Sequence, residues 1–127
     1  MSARTESRHL AESVAALGVD RKAADVVILE LREISSVTDY FVICTGRSDV
    51  HVRAIVERIE QGLAERGERP LAREGLGHGS WALLDYGDVV VHVFQPDTRA
   101  FYDLERLWGQ APRWTSDSSS AIEAGRP

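Results

Sequence analysis

The stretch Trp81–Gln95, Trp-Ala-Leu-Leu-Asp-Tyr-Gly-Asp-Val-Val-Val-His-Val-Phe-Gln, constrains the fold more than any other. It is the densest apolar and β-branched run in the chain, and it is interrupted once by Asp-Tyr-Gly-Asp. Two rich strands around a short turn make a β-hairpin. Its tip falls at Asp85–Asp88, where Gly87 supplies a positive φ. The second strand, Val89–Phe94, is apolar on both faces except at His92, so it belongs inside a sheet covered on both sides. Trp81 on the first strand is expected to stand out near a sheet edge, beside the acidic tip, as a large ring that needs a cover.

The flanking segments supply the layers around this hairpin. Leu10, Val14 and Leu17 form one stripe of a helix over Thr5–Leu17, with Gly18 placed to end it. Val26–Leu31 reads as a first strand and Asp39–Thr45 as a second. Gly46 then breaks the pattern and Ser48 caps a long helix whose Val52, Ile55, Val56, Ile59 and Leu63 share a face. Gly67 closes that helix. A short strand about Pro70–Arg73 and the glycine-rich Glu74–Gly79 precede the hairpin. After Pro96, Asp97 or Thr98 is expected to cap a last helix with Phe101, Leu104, Leu107 and Trp108 on one side. The order predicts an α/β (α+β) fold, a mixed sheet of about five strands with flanking helices, in a single domain over residues 1–114. The long helix is sufficient for a crossover, so one parallel strand pair is expected. The Ser-rich stretch 115–127 has little to bury and is expected to be a disordered tail.

Composition narrows the function. With 127 residues, 43% of them hydrophobic, the chain suffices for one core burying roughly two-thirds of its unfolded surface. Twenty acidic residues against 15 basic give a formal charge of −5. That balance disfavours a free-standing DNA or RNA binder, which needs a basic face, and suits a basic protein partner. One cysteine, Cys44, excludes an internal disulfide and a multi-thiolate metal site. It lies in the apolar run Tyr40–Cys44 and reads as an inert core thiol. No segment reaches the roughly 20 apolar residues of a membrane span, and the N-terminus lacks a signal-peptide core, so a cytoplasmic protein is expected.

Catalytic signatures are weak. The turn Thr45–Asp49 joins a strand to a helix N-terminus, which favours an anion, and Arg47 adds charge. It lacks the glycine-rich phosphate-loop or dinucleotide pattern. His9, His51, His78 and His92 show no metal-ligand spacing, and Gly77-His78-Gly79-Ser80 precedes a strand rather than following one, unlike a nucleophile elbow. Asp85 and Asp88 read as turn-forming and partner-facing residues, because Asp is favoured in tight turns for backbone reasons alone. No cofactor or metal is expected. A nucleotide-binding or nucleotidyltransferase-type enzyme remains the alternative, with the Gly46 turn for phosphate and Asp39, Asp85 or Asp88 for metal.

Three blocks of residues resemble one known family. Ser35-Ser36-Val37-Thr38-Asp39 through Cys44-Thr45-Gly46-Arg47-Ser48 is similar to the signature of the ribosomal silencing factor family, also called RsfS or Iojap-like. Pro70, Glu74-Gly75, Trp81, Asp85, Gly87-Asp88 and Val91–Phe94 resemble its second block. Arg99, Tyr102, Leu104-Glu105 and Leu107-Trp108 resemble its third, so that the match spans about residues 8–112. The resemblance implies a fold related to nucleotidyltransferases without their activity. It also implies a translational repressor that binds a ribosomal protein on the intersubunit face of the large subunit, blocks joining of the small subunit when nutrients are scarce, and self-associates as a homodimer when free. The positions matching Trp81 and Tyr86 are part of the family's contact surface. The expected interface has Trp81 and Tyr86 at its apolar centre, with Asp85, Asp88 and Glu74 as an acidic rim and Arg73 beside them.

Overall fold

The computed structural model describes residues 3–115, and its elements follow from the apolar patterning. Helix α1 (Ala3–Asp20) leads into strands β1 (Ala24–Glu30) and β2 (Tyr40–Thr45), then helix α2 (Asp49–Ala64) and the short strand β3 (Ala72–Glu74). Strands β4 (Trp81–Asp85) and β5 (Val89–Phe94) form the hairpin; α3 (Pro96–Tyr102), α4 (Leu104–Leu107) and β6 (Arg113–Thr115) follow.

The strands make one mixed sheet in the order β3-β4-β5-β2-β1-β6. Its centre is the expected parallel pair, β2 against β5, with Tyr40 opposite Val89 and Thr45 opposite Phe94. The connection between them runs through α2 and then β3 and β4, and every other neighbour is antiparallel. Six strands form where about five were expected. The additional strand, β6, pairs with β1 from Leu29 opposite Arg113 to Val27 opposite Thr115. Three residues with a single large apolar side chain, Trp114, are too few for a pattern, and Thr115 belongs to this strand rather than to the tail. The rest of the expected tail, 116–127, lies outside the described residues.

Two cores result, one on each face of the sheet. Helices α1 and α2 cover one face, packing Val14, Ile55, Ile59 and Leu63 onto Ile28, Tyr40, Val42, Leu84, Val91 and Val93. The helices meet closely at Gly62, where a Cβ would lie 2.5 Å from a Leu17 methyl. Cys44 is fully buried in this layer, and burial pushes its thiol pKa up to about 12. The second face holds Leu29, Leu31, Ile43 and Phe94, flanked by Phe41, Trp81, Leu104 and Trp108. Each fully buried side chain of this size stabilises the fold by roughly 1.5–3 kcal/mol.

Helix α1 runs past Gly18 and ends in two reverse bonds, Ala23 N–H to Gly18 C=O and Lys22 N–H to Val19 C=O, with Lys22 at φ 65°. The pattern recurs at the end of α2, where Glu68 bonds to Leu63 and Gly67 to Ala64, with Gly67 at φ 85°. Both are Schellman closures, which need a left-handed residue. Gly18 lies inside the helix, where an added Cβ would meet Ala23, Cys44 and Ile55 at ordinary contact distances of 3.6–4.0 Å.

The single last helix expected after Pro96 is in fact two. Gln95 rather than Asp97 or Thr98 precedes the first turn, and Pro96 opens it. Asp103, at φ 48° and ψ 54°, then stops α3 and redirects the chain into α4. The break rotates the apolar stripe apart. Leu104 and Trp108 pack on the second core, whereas Phe101 and Leu107 are 80% and 71% exposed.

Arg99 fastens this segment to the sheet. Its Nε and Nη2 donate to the two carboxylate oxygens of Glu105 at 3.2 and 2.8 Å, and Nη1 donates to Asp25 C=O and Thr45 Oγ1, both at 2.8 Å.

Candidate protein-binding face

Strand parity decides what β4 can present. Successive side chains point to opposite faces, so Ala82 and Leu84 enter the helix-covered core while Trp81, Leu83 and Asp85 look the other way and stay partly exposed. Tyr86 continues the buried set. It is 8% exposed, packed in the α1–α2 core, and its hydroxyl has no hydrogen-bond partner among the described residues. Desolvation, followed by the nearby Glu60 and Glu68 charges, pushes its pKa up to about 12. The expectation that Tyr86 shares the apolar centre of one interface with Trp81 is therefore corrected: Trp81 and Tyr86 lie on opposite faces of the sheet.

Trp81 is also not beside the acidic tip. It starts β4 opposite Phe94, while Asp85 ends the strand opposite Val90. Four residues of strand separate them by about 13 Å. Asp85 builds the turn, its Oδ1 accepting the Gly87 N–H at 2.8 Å. Asp88 is exposed, and its backbone C=O accepts the N–H groups of Asp39 and Tyr40. Glu74 pairs with Leu83 across β3 and β4, which puts it on the Trp81 face. Arg73 points to the other face and is held by both oxygens of Glu60 at 2.6 and 2.9 Å. The six residues expected at one interface thus divide, with Trp81, Glu74 and Asp85 on one face, Arg73 and Tyr86 on the other, and Asp88 at the end.

Trp81 is instead one ring in a row that crosses the sheet. Its ring lies 4.5 Å from Tyr102, stacks on Phe94 at 4.9 Å, and is 5.9 Å from His92. His92 lies 4.5 Å from Phe41, which meets Trp108 edge-on at 6.2 Å. The indole Nε1–H donates to His92 Nδ1 at 3.1 Å. The neutral imidazole then carries its own proton on Nε2, and burial lowers the His92 pKa to about 4. The short helices leave this row incompletely covered, with Tyr102 48% exposed beside Phe101. Sequence reading missed Phe41, Phe101 and Tyr102 as members of the surface. The available signal was alternation: Phe41 shares its parity with Ile43 in β2, opposite to Val42 and Cys44.

The residues of the alternative enzymatic reading do not converge. Gly46 follows the last residue of β2, whereas Asp39 precedes the first, and Asp85 and Asp88 lie at that same far end. A phosphate at one and a metal at the other would sit roughly 20 Å apart. At the Gly46 turn the amides are already engaged: Arg47 N–H donates to His51 Nδ1 at 2.8 Å and His51 N–H to Ser48 Oγ at 3.1 Å. Asp39 accepts from Ser7 Oγ at 3.0 Å. Among the described residues no three His, Cys, Asp or Glu side chains gather as a cation site, and no helix is long and apolar enough to cross a membrane.

Known proteins resemble the chain in both sequence and fold. The family described as RsfS, ribosomal silencing factor during starvation, matches residues 4–126. The chain is 47% identical over 93 residues to ribosomal silencing factor RsfS of Bacillus subtilis, covering 73% of this chain and 79% of that one. It is 34% identical over 89 residues to mitochondrial assembly of ribosomal large subunit protein 1 of Mus musculus, covering 68% and 39%. A crystal structure of a Chromobacterium violaceum protein superposes with a TM-score of 0.78 at 33% identity, over 80% of this chain and 85% of that one.

Proposed function

The chain belongs to the ribosomal silencing factor family, and from that premise we propose that it represses translation by docking on the large ribosomal subunit. The docking partner in this reading is a ribosomal protein on the intersubunit face. A bound domain of 14.1 kDa occupies volume that the small subunit needs, so joining fails by steric exclusion when nutrients are limiting. The chain acts without catalysis, as one domain whose last strand ends at Thr115, in the cytoplasm.

The observation that carries this reading is the incompletely covered ring row around Trp81. A soluble domain gains nothing from leaving large rings half wet, and such patches mark interaction surfaces. Trp and Tyr supply wide contact area at low cost in side-chain entropy. Glu74 and Asp85 on the same face, with Asp88 at its end, complement a basic ribosomal protein and fix its orientation. In free protein the same row is shared by a second copy, giving a homodimer.

Co-sedimentation with separated small and large subunits at moderate salt tests this. The wild-type chain should pellet with the large subunit alone. Trp81→Ala should weaken that binding by about thirtyfold or more while its circular dichroism stays native. Failure of wild-type protein to pellet with either subunit overturns the proposal, and unfolding of the variant would mark Trp81 as a core residue.

A further inference from the structure

The exposed end of the ring row encloses a hollow of about 430 Å³ lined by Ser80, Trp81, Asp97, Thr98, Phe101 and Tyr102. Its walls come from two elements. Trp81 opens β4, and the other aromatic residues come from α3, where Asp97 and Phe101 are one turn apart on the same side, as are Thr98 and Tyr102. The Trp81 and Tyr102 rings, 4.5 Å apart and inclined at 45°, form the floor. The Phe101 ring stands at 88° to Tyr102 with centroids 5.0 Å apart, and Phe101 is 80% exposed. Three aromatic side chains thus line one space that carries a single carboxylate, Asp97, which forms no ion pair among the described residues.

An apolar partner group would leave Asp97 desolvated and unpaired, which costs free energy. A cation satisfies both parts of the wall, because ring faces are the negative lobes of aromatic quadrupoles and the carboxylate supplies full charge. The nearest strong cation in the same segment, Arg99, is turned inward onto Glu105, Thr45 and Asp25, so the chain does not fill the hollow itself. We propose that the hollow between the start of β4 and α3 is a receptor for one arginine or lysine side chain of a basic protein partner. That this partner is ribosomal rests on the function proposed above; the cation chemistry rests on the hollow alone.

The test uses the full chain and a tetra-arginine peptide, with tetra-glutamate as the control, and follows the Trp81 indole N–H and the Phe101 ring by NMR. A saturable shift at both with tetra-arginine, with the Trp81 shift abolished in Asp97→Asn and in Phe101→Leu, is the expected result. No shift with tetra-arginine, or equal shifts with both peptides, overturns the receptor. Sedimentation with the large subunit then reads the ribosomal assignment separately. Phe101→Leu should weaken binding about two- to fivefold, the range of one exposed cation–π contact, and Asp97→Asn should weaken it by a similar factor, that of one exposed ion pair, and flatten its salt dependence. Wild-type protein that binds the peptide but not the subunit overturns the ribosomal function and leaves the cation receptor established. Subunit binding that both variants retain in full places the receptor outside the ribosomal contact and removes that assignment.

Discussion

The indole N–H of Trp81 donates to Nδ1 of His92 at 3.1 Å on a diagonal of the β4–β5 pair, since Trp81 itself faces Phe94 and His92 faces Leu83. The bond fixes the orientation of the outermost large ring of β4 and requires His92 to be neutral. Burial lowers the His92 pKa from 6.5 to about 4, so the acceptor is present throughout the neutral range.

That shift has a sign. Between about pH 6.5 and pH 4 the unfolded chain binds a proton at this position and the folded chain does not, so stability is lost as pH falls through this window. The full effect is about 3 kcal/mol. Urea unfolding of the wild type and of His92→Phe from pH 7 to pH 4 checks it: the wild type should lose more stability than the variant. Parallel curves would place the proton elsewhere.

Tyr86 offers a clean separation of core from interface. Its buried hydroxyl lacks a partner among the described residues, and an unmet buried hydroxyl costs on the order of 1 kcal/mol. Tyr86→Phe should therefore raise stability by about 1 kcal/mol and leave large-subunit binding unchanged. Thermal unfolding and sedimentation of one variant decide between a core ring and a contact ring.

The two Schellman closures differ in the residue that adopts the left-handed turn, Lys22 after α1 and Gly67 after α2. A side chain in that conformation costs roughly 1–2 kcal/mol, which glycine avoids. Lys22→Gly should stabilise the chain by about 1 kcal/mol, and Gly67→Ala should destabilise it by a similar amount. Denaturant midpoints read both, and a destabilising Lys22→Gly would mean that the lysine side chain contributes contacts of its own.

Arg99 directs four of its five N–H donors to Glu105, Thr45 and Asp25. A lysine cannot reproduce the paired bonds to Glu105. Arg99→Ala should lower stability by about 3 kcal/mol, because it leaves Glu105 largely buried without its cation, and Arg99→Lys should recover less than half of that. The Tyr102 ring resonances should shift in both variants, since Arg99 holds the helix that carries Tyr102.

Much of this was legible in the residues. Continuous apolar runs gave both central strands, β2 and β5, and the spacing from Val52 to Leu63 gave the buried face of α2. The crossover length gave the parallel pair. Parity carries the separation of Trp81 from Tyr86: they are an odd number of positions apart, and in one uninterrupted strand that alone puts them on opposite faces. The break at Asp103 was not readable, since Asp is an ordinary helix-surface residue that adopts the left-handed conformation only where packing favours it. Nor was β6, whose three residues are a strand only because the edge of β1 is there to receive them.

The parallel junction at the centre of the sheet sets an order of events during synthesis. When Tyr40–Thr45 leaves the ribosome it has β1 on one side, but its other side waits for Val89–Phe94, which is made only after α2, β3 and β4. Until then the nascent chain presents an open edge along an apolar strand, the kind of edge that recruits foreign strands. Closure of that edge by β5 is what turns a string of local elements into a single folded body, so truncations ending before Val89 should aggregate rather than fold.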